Sequence, residues 1–323
     1  MRSVYVKSQD RADPLAGLAI GDLEERTAPE GWVRVEVRAA SLNHHDLWSL
    51  RGVGLPADRL PMVLGTDAAG VDPEGRDVIV HAVIAAPGWV GEETLDPKRS
   101  LLSEVHPGTL ATHVWVPARN LVPKPPELSF AEAACLPTAY LTAYRLLFDA
   151  AALRPGQRVL IQGAGGGVAT AAVLIGRAAG LHVVVTSRSE RKRARALEIG
   201  AHEAVATGVR IAPVDAVVET VGEATWEHSL RSLRPGGVVA VAGATSGPAP
   251  SADLNRVFFR SLRVIGSTMG TLEQLQWLRD QLLATGVRPL IDSEHSLDDD
   301  DGVTSAFERL ASGEAFGKIV LTR

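Results

Sequence analysis

Only one cysteine, Cys135, occurs in the 323 residues. A lone thiol excludes an internal disulfide and any site built from several thiolates, because a structural zinc ordinarily takes four Cys or His ligands in closely spaced pairs. Cys135 lies in the apolar run AEAACLPTAY, where a small buried thiol is the ordinary reading and a nucleophile is not. Long apolar runs are missing too: none approaches the roughly 20 residues of a membrane span. The first residues, MRSVYVKSQDRADP, hold no apolar stretch followed by a small-residue cleavage site. A cytoplasmic protein with no membrane contact is the expectation. Basic blocks are also scarce. The net charge is −5 and only SRSERKRAR, residues 187–195, concentrates Lys and Arg, so neither nucleic acid nor an anionic membrane is expected as a partner.

What is present reads as about two domains, since 323 residues exceed one ordinary core. In GWVRVEVRA, residues 31–39, apolar Val33, Val35 and Val37 alternate with charged Arg34, Glu36 and Arg38, the period of a strand with one wet face. Other short strand-like runs, DVIVHAV and THVWVP among them, make the first third an irregular and mostly antiparallel unit. Pro123, Pro125 and Pro126 break the chain, and beyond them the texture becomes alternating helix and strand. From Arg158 the order is strand RVLIQG, a glycine loop, helix VATAAVLIGRAA, strand HVVVTS, helix ERKRARALEI and short strand EAVA. Strand VDAVVET, helix EATWEHSLRSL, strand VVAVAG and strand LRVIGS supply a second half. Six strands with crossover helices predict an α/β, doubly wound parallel sheet, with ligand at the carboxyl ends of its strands. The closing GEAFGKIVLTR reads as a strand returning to the first unit, and the acidic run 298–301 as a solvated loop.

The loop GAGGGVA, residues 163–169, follows a strand and opens a helix. Pyrophosphate binding needs little side-chain bulk there, so that backbone N–H groups and the positive end of the helix reach the phosphates. Gly165, Gly166, Gly167 and Val168 meet that need, although Ala164 stands where the strict G-x-G-x-x-G pattern has its first glycine. Taken alone the run could be a plain tight turn. Its place between strand and helix favours a dinucleotide. At the end of the second strand, where an NAD enzyme usually carries a carboxylate for the ribose hydroxyls, this chain has Ser187 and Arg188, followed by Arg191, Lys192 and Arg193. A hydroxyl and a guanidinium suit a 2′-phosphate, so NADPH is the expected cofactor. Arg193 and Arg195 read instead as a solvated helix face.

Taken together, LNHHDLWSLRG, PMVLGTDAAG, LPTAYLTAYRLL, the glycine loop and the closing GKIVL resemble the medium-chain dehydrogenase/reductase superfamily over nearly the whole chain. The resemblance implies a Rossmann doubly wound domain, residues 123–286, inserted into a β-rich GroES-like catalytic domain made of residues 1–122 and 287–323. An active site in the cleft between them would follow. Zinc-dependent members hold a catalytic metal at places that correspond here to Asn43, to Thr66 with Asp67, and approximately to Thr138. An amide and two hydroxyls make a poor zinc site, and one cysteine cannot supply the family's structural zinc. His44 and His45 are adjacent, and neighbours on an extended segment point to opposite faces, so they are not expected to share an ion. His81, His106 and His113 read as ordinary polar residues.

The resemblance is therefore to the zinc-free quinone oxidoreductase branch. Zinc polarises a carbonyl; without it, hydride must go to an acceptor that is already electron-poor, such as a quinone or an α,β-unsaturated ketone. Asn43 is the expected polar group nearest nicotinamide or substrate, and His45, at the family's proton-relay place, the expected proton donor. Either could instead be structural, Asn43 satisfying backbone groups at a strand end and His45 filling an interior. Asp46 reads as ordering this segment, and Thr66 and Thr138 as lining the vacated pocket or touching the cofactor. Thr142, Val221, Gly243, Ala244 and Thr268 are cofactor neighbours by topology. Quinone reductases of this kind often carry a Tyr after the third strand, where this chain has Thr207. The segment 81–113 is longer than a zinc-free member needs, a remnant of the metal lobe or a substrate lid. The apolar edge Leu262–Met269 implies a homodimer, as in relatives. Two other readings stay open: an alcohol or aldehyde dehydrogenase of the same superfamily, and a nucleotide-binding sensor or RNA-associated protein without turnover.

Overall fold

The computed structural model describes all 323 residues, and the chain forms two compact units. The first comprises Met1–Ala139, Thr271–Asp280 and Arg288–Arg323; the second comprises Tyr140–Gly270 and Gln281–Val287. No helix is long and apolar enough to cross a membrane.

The organising element of the first unit is strand Trp32–Ser41. It pairs antiparallel with Ala68–Val71, with His113–Pro117 and with the closing strand Lys318–Thr322. The last of these also pairs parallel with Ile291–Ser296. The alternation read from the sequence holds through Val37, with Val35 and Val37 buried and Arg34 and Glu36 exposed. It then stops: Ala39, Ala40 and Ser41 are all buried. Helix Phe130–Ala134 packs on this end of the strand and on Ala68–Val71, and small residues on both strands admit it. Gly70 shows how tight the pairing is, since a Cβ there would lie 2.0 Å from the Glu36 carbonyl oxygen. The packing of that helix also explains why the first unit extends past the proline break at 123–126 to Ala139.

Two local readings are corrected. His44 and His45 do not lie on an extended segment; they open helix His44–Leu50, with Asn43 as its N-cap. Consecutive helical residues diverge by about 100°, so the pair still presents two directions. The acidic run is not a plain loop either. Asp299 caps helix Asp300–Ala311, accepting from the Gly302 N–H, and Asp300 and Asp301 lie in its first turn, where negative charge favours the helix dipole.

The segment 81–113 is pinned by two carboxylates, Asp96 and Glu93. Asp96 accepts the N–H groups of Ala86 (2.7 Å) and Lys98 (2.8 Å), and Glu93 lies 3.2 Å from the buried His81 Nε2. His81 is thus buried against a carboxylate. His106 and His113 reach Ser100 Oγ and Glu25 Oε1.

The second unit holds a six-stranded, wholly parallel sheet. Its spatial order is Glu203–Val205, His182–Thr186, Arg158–Ile161, Val214–Glu219, Leu233–Val241, Arg263–Gly266, the 3-2-1-4-5-6 arrangement of a doubly wound domain. Leu160, Val184, Val217, Val239 and Leu230 form a continuous core cluster, which accounts for strands that read as unbroken apolar runs. Order reverses between Arg158–Ile161 and Val214–Glu219. A short helix absent from the sequence reading, Leu254–Phe259, leaves Leu254, Phe258 and Phe259 exposed before the edge strand.

Candidate active site

In the first unit, the strand end at Ser41, the helix that starts at His44, the turn Gly65–Asp67, Thr138 and the closing strand deliver polar side chains to one buried spot. Asp46 sets the local geometry. It is fully buried and accepts the Asn43 N–H on one oxygen (2.8 Å) and the Gly65 N–H on the other (2.9 Å), tying the helix N-terminus to the turn that carries Thr66. Burial holds its pKa above the usual carboxylate range, against the opposing pull of His45 and of these two N–H groups.

Asn43, Thr66 and Thr138, far apart in sequence, form one chain of contacts. Asn43 Nδ2 donates to Asp67 Oδ2 (2.8 Å) and to Thr66 Oγ1 (3.3 Å), and Thr66 Oγ1 lies 3.0 Å from Thr138 Oγ1. The unforeseen member is Lys318. Its side chain is 2% exposed, and Nζ donates to the Leu42 carbonyl (2.7 Å), Asn43 Oδ1 (2.6 Å) and Asp67 Oδ2 (3.1 Å). All three ammonium protons are therefore used. Asp67 Oδ2 also lies 2.7 Å from Ser41 Oγ, whereas Asp67 Oδ1 is buried without a partner.

His45 stands apart from this network. Its Nε2 lies 2.9 Å from Glu104 Oε1, and its Nδ1 is buried without a partner. Burial disfavours the imidazolium, but the Glu104 hydrogen bond, with the charges of Asp46, Glu104 and Asp67, outweighs it and raises the His45 pKa above its ordinary value. His44 is exposed. Lys318 lies within GKIVL and Asp67 at a lost ligand place; a lysine opening a strand whose next three residues are apolar is the signal in the sequence that points to it. Glu104 had no such signal.

In the second unit the glycine loop sits at the carboxyl end of Arg158–Ile161, beside the reversal of strand order. Gly165 adopts φ 110°, a conformation that favours glycine, and Gly166 caps helix Gly167–Ala178 without a side-chain bond. The first N–H groups of that helix, those of Gly167 and Val168 among them, have no intrahelical acceptor and are free for an anion. A Cβ at Gly163 would meet Val221 at 3.4 Å. Gly243 and Ala244 form the turn laced to 220–222, the Thr245 N–H donating to the Thr220 carbonyl. Ser187 and Arg188 follow strand His182–Thr186. Arg193 donates to both of their carbonyls, and Ser189 caps the helix that carries Lys192. Arg188 is exposed, Lys192 buried. Thr142 is buried on a short helix packed against Gly167–Ala178, and Thr268 is exposed beyond the edge strand.

Residues 29–126 match the alcohol dehydrogenase GroES-like domain, and residues 167–284 match the zinc-binding dehydrogenase family. A solved NAD-dependent alcohol dehydrogenase is 32% identical, with each chain covered over 100% of its length and a TM-score of 0.91. The chain belongs to the medium-chain dehydrogenase/reductase superfamily. Among other members, a zinc-type alcohol dehydrogenase-like protein of Schizosaccharomyces pombe is 29% identical over 96% of this chain and 97% of its own. The acryloyl-coenzyme A reductase of Metallosphaera sedula is 26% identical over the full length of both.

Several names in this superfamily imply zinc, and the donor set here does not fit it. No three His, Cys, Asp or Glu side chains converge anywhere in this medium-chain dehydrogenase/reductase. At the family's ligand places the Asn43 oxygen is already taken by an ammonium ion, which would repel a second cation. The thiol of Cys135 donates to the Ala131 carbonyl, and burial pushes its pKa up, away from the thiolate a metal needs.

Proposed function

We propose that this oxidoreductase is an NADPH-dependent reductase of quinones or α,β-unsaturated carbonyl compounds that works without a catalytic metal. One observation carries the reading: the cation at the family's metal place is the Lys318 ammonium, sealed among Asn43, Asp67 and a backbone carbonyl. A buried ammonium whose protons are all engaged cannot bind an alkoxide as a Lewis acid does, so the acceptor must be electron-poor beforehand. The M. sedula relative supports this class, being named for acryloyl-coenzyme A, an activated alkene. The alcohol dehydrogenases among the relatives favour alcohol oxidation instead, a reading that the sealed ammonium at the family's ligand place does not support.

NADPH, when bound, supplies a hydride. Hydride addition leaves the acceptor an oxyanion, and the one proton that neutralises it comes from the His45–Glu104 pair, where Nε2 is the ring nitrogen whose proton is shared and Nδ1 is sealed off. Asp46 holds the helix bearing His45 in place. The N–H groups at Gly167 and Val168 receive the pyrophosphate, and the Ser187 hydroxyl and Arg188 guanidinium receive the 2′-phosphate.

Oxidation of NADPH by a panel of quinones, enones and aldehydes, and reduction of NADP⁺ by alcohols, each with and without a chelator, test the reading. Turnover of quinones or enones that chelation leaves intact is expected. Alcohol oxidation that needs stoichiometric zinc refutes it. NADPH should bind more tightly than NADH, and Arg188→Ala should cost about tenfold in NADPH affinity, the worth of one charge-assisted bond; equal affinities unaffected by the substitution would refute the cofactor assignment.

A further inference from the structure

The polar chain at the former metal place has a direction, and that direction names a further donor. Three constraints set it. First, the Asn43 amide is oriented by opposite charges on its two sides: Lys318 Nζ, which can only donate, lies 2.6 Å from Oδ1, and the Asp67 carboxylate lies 2.8 Å from Nδ2. Exchanging oxygen and nitrogen would set an NH2 against an ammonium and a carbonyl against a carboxylate, so only one amide orientation is satisfiable. Second, with Nδ2 thus a donor, Thr66 Oγ1 accepts from it at 3.3 Å. Third, Thr66 is 1% exposed and its hydroxyl has one other neighbour, Thr138 Oγ1 at 3.0 Å. If Thr138 donated to Thr66, the Thr66 proton would be buried without an acceptor, a cost avoided when Thr66 donates to Thr138. Thr138 is only partly buried, and its own proton then has no acceptor in the protein.

We infer that Lys318 and Asp67 polarise a hydrogen-bond chain, Lys318 to Asn43 to Thr66 to Thr138, whose free end is the Thr138 hydroxyl, presented to the acceptor's oxygen. The inference rests on the proposed reductase reading for what Thr138 meets, but not for the direction of the chain. Thr138 is the catalytic member: it donates to the oxyanion that hydride addition creates and does not itself lose its proton. Lys318, Asp67, Asn43 and Thr66 are positioning residues, acting through that hydroxyl. A buried positive charge behind a row of aligned donors makes the terminal donor stronger than an isolated hydroxyl.

Neutron diffraction from a deuterium-exchanged crystal of the full chain reads the direction without any turnover. Deuterons are expected on Thr66 Oγ1 facing Thr138 and on all three Lys318 positions; a Thr138 deuteron facing Thr66 overturns the inference. Kinetics reads the role. Thr138→Val should lower kcat on the order of a hundredfold, as loss of one oxyanion donor does, with KM little changed, and Thr138→Ser should restore most of it. A Thr138→Val enzyme with unchanged kcat also overturns the inference. Wild-type protein that reduces no quinone or enone overturns the reductase reading alone, because the deuteron positions still decide the chain's direction.

Discussion

Lys318→Met isolates what the buried cation does for the fold. The substitution keeps the side chain's length and removes its charge, leaving the fully buried Asp67 carboxylate with Ser41 and Asn43 and with an Oδ1 that already lacks a partner. Breaking a buried ion pair on one side costs about 3–5 kcal/mol, a large share of a total stability on the order of 5–15 kcal/mol. Adding Asp67→Asn to Lys318→Met removes the orphaned charge and should return part of the lost stability, a coupling that separates lost charge compensation from lost packing. Urea unfolding measures all of this through the midpoint and slope. A loss below about 1 kcal/mol at pH 8, the scale of an exposed pair, or a double variant no better than the single one, would show that the pair is not what holds this corner together.

Two further outcomes are expected. The raised pKa of His45 means that the folded state favours imidazolium, so the His45–Glu104 pair contributes fully below the unfolded value near 6.5 and is lost as pH rises through the higher folded value. Both partners are partly exposed, so the contribution is at most about 1 kcal/mol; Glu104→Gln should flatten that part of the urea-midpoint profile, and an unaltered profile would exclude the pair as its source. The edge strand Arg263–Gly266 leaves Val264 48% exposed, and we propose that a second copy pairs there. Sedimentation should then give a dimer at micromolar concentration that Val264→Lys dissociates, and a monomeric wild type would end that proposal.

The alternation of Val33, Val35 and Val37, the apolar strand runs after Arg158 and the glycine loop were readable because each is a short-range pattern that dictates its own local structure. Even the break of the alternation after Val37 had no local cause: Ala39, Ala40 and Ser41 are buried because the helix Phe130–Ala134, far along the chain, covers them. His44 and His45 looked extended because the Asn43 cap acts through Asp46 three residues later, and Asp46 in turn depends on the Gly65 N–H.

Sequence alone determined the two kinds of unit, the succession of strands and helices along the parallel one and the side chains at the family's ligand places, since those follow from periodicity, turn residues and the identity of single positions. What stands where the metal would be was decided only by the tertiary structure. Lys318 lies 275 positions from Asn43, and no local preference draws an ammonium ion to an amide; the register of the closing strand against Trp32–Ser41 brings them together, and burial makes their charges count.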